Sequence, residues 1–446
     1  MHPDALGALL EDHNPWWSGS EARRAVPSVR RDLHGRLLKH VGNERERRAL
    51  LILGPRQVGK TTLLLQLAED LLKAGWPPGN LSYFSFDDDR LTELVSAREI
   101  VDFAPVGISP QQPRLFLLDE ISRAVNWAAW LKQEVDRGHY RLIATDSAAS
   151  LLRAAGAESG QGRWDEVVLE GLTFAEFLRL LAFPDESLQD LLRRIPNAVE
   201  RYLQVGGFPE HARADDYRQA RERLRVDVAE RAIGRDLLRL GVDVEQVRRL
   251  FVYLVQDSGA IFSAAKRARD LDADHRSVDK WVALLEDARL IARLPRHARR
   301  PAARLRSKPR IYASDHGLIS AFTPGASLLP GQRVRAQAVE AAVYRHLREW
   351  ARDTGAEVTF FRQDDGLGAD FVLELAGART VIEVTGSLYA NSEKVSRLRR
   401  AGEALKAGRL VMIHAGVLDQ KPTTSVTSLP LSKFLLEPSL ILGAPK

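Results

Sequence analysis

Four apolar residues, Leu50, Leu51, Ile52 and Leu53, run into Gly54-Pro55-Arg56-Gln57-Val58-Gly59-Lys60-Thr61-Thr62 and then into an apolar-periodic segment from Leu63 to Leu72. An apolar run, G-x-x-x-x-G-K-T and a helical period read as buried strand, phosphate loop and helix. Gly54 and Gly59 let the backbone curl so that several N–H groups face one hollow. The following helix aims the positive end of its dipole at the same place. In this pattern Lys60 is expected to reach the β- and γ-phosphates and the Thr61 hydroxyl to hold Mg²⁺. Pro55, Arg56, Gln57, Val58 and Thr62 complete the expected cradle, and ATP is the expected nucleotide.

Few other constraints come from composition. At 446 residues the chain has room for about three domains at roughly 150 residues each. It has no cysteine, which excludes disulfides, thiol catalysis and cysteine-ligated zinc and is compatible with a reducing cytoplasm. No apolar run approaches the ~20 residues of a membrane span, and no signal-peptide core opens the chain. A soluble, cytoplasmic protein without a membrane partner is expected. The net charge of +6 leans toward a polyanionic partner.

The next strong signal is Arg114-Leu115-Phe116-Leu117-Leu118-Asp119-Glu120. Its apolar run reads as a strand buried on both faces, with two acids at the end where ligands of open α/β sheets lie. About 60 residues beyond a phosphate loop, Asp119 is expected in the Mg²⁺ shell and Glu120 beside the attacking water. Between them in space, the strand Tyr140 to Ser147 ends in polar residues. Thr145 is the first choice for a group sensing the γ-phosphate, and Asp146 or Ser147 the second. Arg163 has two readings: an arginine finger reaching a neighbouring subunit's nucleotide, or a partner of a carboxylate on its own surface. Leu169 to Phe177 reads as a short strand running into a helix. Upstream, Trp16 and Trp17 read as packing onto the body of the protein, with partner docking as the alternative. The acids Asp87, Asp88 and Asp89 are expected to solvate a strand end or cap a helix.

These residues resemble a known group, the bacterial and archaeal AAA-type P-loop ATPases that carry a C-terminal domain of unknown function. The resemblance rests on Gly54 to Thr62, Leu117 to Ser122 with Asn126-Trp127, Gly162-Arg163, Leu172 to Phe177, Tyr202 to Glu210 and Ile311 to Leu318. It implies ATP binding, ATP hydrolysis and a homo-oligomer. One departure is that the strand usually ending in Thr-Gly-Ser ends here in Thr145-Asp146-Ser147, which puts a negative charge near the expected γ-phosphate.

The fold class expected is α/β: an AAA-type parallel-sheet domain with a helical lid, a winged helix and a nuclease-like α/β domain. The boundaries are a lead-in over 1–48, the ATPase core over 49–180, the lid over 181–245, the winged helix over 246–325 and the nuclease-like domain over 326–446. In the winged helix a third helix beginning near Asp274 would offer His275, Arg276 and Lys280 to a DNA groove. Between two short strands lies a basic run that includes Arg296, Arg299, Arg300, Arg304 and Arg306, with no acid inside it. It reads as a wing kept extended by Pro295, Pro301 and Pro309, contacting phosphates. The last domain resembles the restriction-endonuclease-like core. Glu340, Asp370 and Glu383 match its three acids, Thr385 stands where its lysine belongs, and Lys394 is the candidate replacement. A degenerate site is therefore expected.

Two functions are compatible with these residues. One is an ATPase that couples its cycle to DNA binding or remodelling. The other is a nucleotide-dependent scaffold with slow turnover and a protein partner.

Overall fold

The computed structural model describes residues 3–19, 26–43, 45–91, 95–105, 112–147, 162–181, 188–237, 241–298, 300–387, 392–416 and 425–442. The chain forms two compact units, Met1–Glu170 and Gly171–Lys446.

The first unit is built on five parallel strands: β1 (Ala49–Leu53), β2 (Leu81–Ser85), β3 (Arg114–Asp119), β4 (Tyr140–Asp146) and β5 (Trp164–Val168), in the order β2-β3-β4-β1-β5. Central strands of a parallel sheet are covered on both faces, which is why β1 is buried at every residue and β3 at every residue after Arg114. The register of β1 on β4, Leu53 opposite Asp146, brings the end of β4 beside the start of the phosphate loop. The strand expected near Leu169 lies earlier. Pairing with β1 from Ala49–Trp164 to Leu53–Val168 uses up the strand before Leu169 is reached.

The lead-in finishes the β2 edge. Asn14 Nδ2 donates to Tyr83 O at 2.8 Å while its Oδ1 accepts from Tyr83 N at 2.6 Å. The indole N–H groups of Trp16 and Trp17 both donate to Leu81 O, at 3.0 and 2.9 Å. Both tryptophans therefore pack onto the sheet edge, the first of the two sequence readings.

Within the second unit, three motifs of the family resemblance meet. Asp315, buried, accepts from Gly207 N at 2.9 Å and Gly317 N at 2.8 Å. Gly206 has φ +77°, and a Cβ there would lie 2.2 Å from Asp315 Oδ1, so both its conformation and its neighbour demand glycine. Tyr202 OH donates to Leu172 O at 2.7 Å, and Phe174 N donates to His346 Nε2 at 3.1 Å. These motifs hold the unit together.

Helices Val244–Gln256, Ala264–Leu271 and His275–Asp287 are followed by an antiparallel hairpin, β6 (Ile291–Leu294) and β7 (Arg310–Ala313). The third of these helices and the hairpin fall where the sequence places them. The segment between the strands does not. Pro301 opens a short helix, Pro301–Leu305, because proline suits the first helical turn, so the run is not extended throughout. Its start instead joins β8 (Glu357–Arg362), with Phe360 N donating to Pro295 O at 3.0 Å and His297 N to Phe360 O at 2.6 Å.

The last sheet has the order β12-β11-β10-β9-β8, with β9 (Gly368–Leu375), β10 (Ala378–Thr385), β11 (Arg409–His414) and β12 (Thr427–Pro430). β8 and β9 run antiparallel, β10 is antiparallel to β9, and β10, β11 and β12 are parallel. The helix Ser392–Leu405 packs on it through Leu398, Ala401 and Leu405 against Val372, Val381 and Met412.

Candidate functional site

The phosphate loop joins β1 to the helix Lys60–Lys73. Gly59 caps that helix with φ +101°, a conformation L side chains avoid. Gly54 is demanded by space instead: a Cβ there would meet Leu169 O at 2.3 Å. Gly54 N donates to Asp146 O at 3.2 Å, which fixes the loop to β4. Gln57 adopts φ +61° at the loop's tip.

Lys60 is buried, and its Nζ donates to Gly54 O at 2.9 Å and Pro55 O at 3.2 Å, with Glu120 Oε1 3.6 Å away. Thr61 Oγ1 donates to Asp119 Oδ2 at 2.6 Å, and Thr145 Oγ1 donates to Asp119 Oδ1. Glu120 N donates back to Thr145 Oγ1 at 3.2 Å, and Ser147 Oγ donates to Glu120 Oε2 at 3.1 Å. Lys60, Thr61, Asp119, Glu120 and Thr145 therefore form one cluster around the ends of β1, β3 and β4. Burial, and after it the Glu120 charge, raise the Asp119 carboxyl above its ordinary range, against the hydroxyls of Thr145 and Thr61. A buried carboxylate next to a threonine hydroxyl is a hard-oxygen donor pair of the kind Mg²⁺ takes, so these residues fit the ion.

Asp146 is directed elsewhere than the sequence suggests. Its Oδ2 accepts from Ser122 N at 2.8 Å, just past β3, where it braces the turn that carries Glu120. Glu120 itself has φ +53°. Ser147, the other second choice, does touch Glu120.

Arg163 Nε donates to Asp136 Oδ1 at 2.8 Å, so within this chain it partners a carboxylate on its own surface. Four contacts had no signal in the motif spacing. Arg31 donates to Val58 O at 3.1 Å and to Glu170 O at 2.7 Å, Tyr83 OH lies 3.4 Å from Asp119 Oδ2, and Asp87 pairs with Arg123 at 2.5 Å. Arg56 of the loop also faces Asp87, at 4.0 Å. The acid run after β2 was the only sequence hint of this last pairing.

In the second unit, His275, Arg276 and Lys280 are exposed along the helix His275–Asp287, and Arg300, Arg306 and Lys308 are exposed in the basic segment. Arg299 lies outside the described residues. The basic run is partly neutralised by acids distant in sequence. Arg293 pairs with Glu286 at 3.1 Å, Arg296 with Asp364 at 3.8 Å, and Arg304 with Glu357. The absence of acids inside the run thus overstated its free charge, because Glu286 of the preceding helix, Glu357 of β8 and Asp364 just after β8 supply them.

The nuclease-like acids do not converge as a metal set. Glu340 and Asp370 meet on Arg310, whereas the buried Glu383 meets Arg397 and has Lys394 Nζ at 3.9 Å. Lys394 Nζ donates to Val384 O at 2.8 Å, and Thr385 Oγ1 accepts from Ser387 N at 3.2 Å. Among the described residues, no group of three or more His, Cys, Asp or Glu could hold a metal ion.

Residues 46–178 match a family described as AAA domain. Residues 196–328 and 335–434 match two families described as domains of unknown function, DUF8612 and DUF4143. An uncharacterized protein of Haemophilus influenzae is 24% identical over 276 residues, which cover 60% of this chain and 67% of that protein. An uncharacterized protein of Mycobacterium tuberculosis is 27% identical over 305 residues, covering 67% of this chain but only 59% of its relative. Among solved structures, the ORC1 protein of Aeropyrum pernix in complex with DNA aligns at 13% identity and a TM-score of 0.32, over 70% of this chain and 96% of that one. A likeness that distant carries no weight for function. No helix among the described residues is long and apolar enough to cross a membrane. With the five-stranded parallel sheet, the phosphate loop and the matched families together, the chain is a P-loop protein of the AAA type, its ATPase-like domain followed by domains of unknown function.

Proposed function

We propose that the chain binds and hydrolyses Mg²⁺-ATP and couples that cycle to DNA. The observation that carries the first half is the cluster of Lys60, Thr61, Asp119, Glu120 and Thr145. Among the described residues the loop carbonyls and Glu120 hold the Lys60 ammonium, and it would exchange those partners for the β- and γ-phosphate oxygens. Thr61 and Asp119 would hold Mg²⁺, which neutralises charge on the phosphate oxygens. Glu120, released from Lys60, would take the proton of the attacking water. Thr145 ties Asp119 to the backbone of Glu120, so it keeps the ion-binding and water-orienting groups in a fixed relation. Arg163 would serve a neighbouring subunit only after leaving Asp136, in a homo-oligomer.

The second half rests on the exposed His275, Arg276 and Lys280 and on Arg300, Arg306 and Lys308 beside a hairpin, an arrangement we read as a winged helix. Such a surface binds phosphates in a salt-dependent way. The pairing of Glu120 with Lys60 and Ser147 favours a second reading, a slowly turning scaffold in which nucleotide sets assembly with a protein partner.

Steady-state ATP hydrolysis at low and high salt, with single-stranded, duplex and branched DNA, separates the two. Stimulation by one DNA form that fades with salt supports the coupled ATPase. A slow rate indifferent to all DNA supports the scaffold. Turnover surviving Lys60→Ala would refute the assignment of the site.

A further inference from the structure

The acids of the nuclease-like domain lie where a metal ion would be expected, yet their geometry suits a different cation. Arg310 Nη1, carried on β7, lies 3.2 Å from Glu340 Oε1 and 3.3 Å from Asp370 Oδ1. The Tyr312 hydroxyl donates to the same Glu340 oxygen at 2.6 Å, and the second Asp370 oxygen accepts from Val384 N at 3.0 Å. The guanidinium also sits over the Phe360 ring, 5.0 Å from its centroid. We propose that Arg310 is the resident cation of this acid pair, filling the place of a divalent ion and pinning the hairpin to the C-terminal sheet.

Two neighbouring, half-buried carboxylates favour a positive charge between them, and one guanidinium nitrogen already reaches both. Mg²⁺ or Mn²⁺ would need about six oxygens near 2.1 Å, whereas here one carboxylate oxygen takes a backbone N–H and another takes a phenol. The third acid, Glu383, is engaged by Arg397 and cannot complete a set. Because arginine does not lose its proton in proteins, the charge is permanent, and the pairing joins a residue of the segment 196–328 to residues of 335–434. The acid pair is therefore a receptor for the hairpin, and a divalent-cation site exists only when Arg310 is removed. This inference is independent of the ATPase reading.

The test is Mn²⁺ binding to the full chain without nucleotide at pH near 8, followed by electron paramagnetic resonance of the free ion. Wild type, Arg310→Gln and Arg310→Gln/Asp370→Asn are compared. Arg310→Gln is expected to gain one Mn²⁺ site about tenfold or more tighter than any in wild type, and the added Asp370→Asn to remove it. No gain in folded Arg310→Gln, or a gain that survives Asp370→Asn, overturns the proposal. Should Arg310→Gln not fold, the thermal shift caused by Mn²⁺ in wild type and in single Asp370→Asn decides. Equal shifts are expected, and a shift lost with Asp370 would mean that the wild-type acids hold the metal.

Discussion

Adding a single methyl group at Gly54 separates a phosphate loop held by its surroundings from one that adapts. A Cβ at Gly54 would lie 2.3 Å from Leu169 O, 3.3 Å from Leu169 C and 3.1 Å from Val58 Cγ1. An ordinary carbon–oxygen contact is roughly 3.3 Å, so one side must yield by about 1 Å. Neither side is loose. Leu169 N donates to Leu53 O at 2.8 Å, and Gly54 N is tied to Asp146 O at 3.2 Å. Moving the loop by that distance would displace Lys60 and the N–H groups proposed to cradle the phosphates, and misplacement of about 1 Å costs on the order of 100-fold in rate. Gly54→Ala is therefore expected to lower kcat/KM for ATP by about 100-fold, close to 2.7 kcal/mol of transition-state stabilisation. Overpacking should also cost roughly 1–3 kcal/mol of stability. The assay is steady-state hydrolysis beside fluorescent-nucleotide binding and a thermal melt. Gly35→Ala is the control, since nothing lies within 4 Å of its Cβ. Turnover within about threefold of wild type in Gly54→Ala, well short of the 100-fold expected from a 1 Å displacement, would refute the reasoning.

Four further outcomes are expected. Thr145→Val should lower kcat while leaving nucleotide affinity nearly unchanged, because Thr145 positions Asp119 and the Glu120 backbone; a loss of affinity instead would make it a phosphate-binding residue. Asp146→Asn keeps an acceptor for Ser122 N and should leave kcat close to wild type. Asp315→Ala strands the buried N–H groups of Gly207 and Gly317, at roughly 1–3 kcal/mol each. The melt of the second unit should drop by several degrees, with Asp315→Asn intermediate, and an unchanged melt would remove Asp315 from the core of that unit. Burial, and then Asp370, push the Glu340 carboxyl up to about 7 from 4.5, against Arg310 and Tyr312. A carboxyl raised in the folded state stabilises fully below its unfolded value and loses that contribution as pH rises through the folded one. Urea unfolding between pH 4.5 and 8 should show that decline in wild type and a flatter profile in Glu340→Gln; parallel profiles would contradict it.

The nucleotide cluster was legible because its residues are local. Gly54 to Thr62 and Leu115 to Glu120 each carry a strand, a turn and a side-chain type in one short window, and the fold only has to lay β4 between them. Thr145 was placed for the same reason, at the end of an apolar run. The basic segment was misjudged because neutralising acids need not be neighbours in sequence: Glu357 and Asp364 arrive from β8 and the turn after it. Pro301 had two meanings, extended chain or first helical turn, and only the surroundings chose between them. The three nuclease-like acids were chosen by their spacing on strand and helix. Spacing says nothing about which cation they meet, and Arg310 lies on a hairpin 30 residues upstream of Glu340. Asp146 was assigned by its position at a strand end. The direction of its side chain was set by the Ser122 N–H, a backbone group that no residue pattern reveals.

Asn14 has a consequence for how copies of this protein can meet. An exposed strand edge invites another chain to add to it, and natural proteins block that route. Here a primary amide does the work of a sixth strand for one residue, giving and receiving the pair of bonds a neighbouring backbone would supply at Tyr83. The tryptophan pair occupies Leu81 O in the same way. Growth of the sheet through β2 is closed, so any ring or pair of copies must form through other faces. Replacing Asn14 with alanine would reopen that edge and make the protein prone to strand-to-strand aggregation.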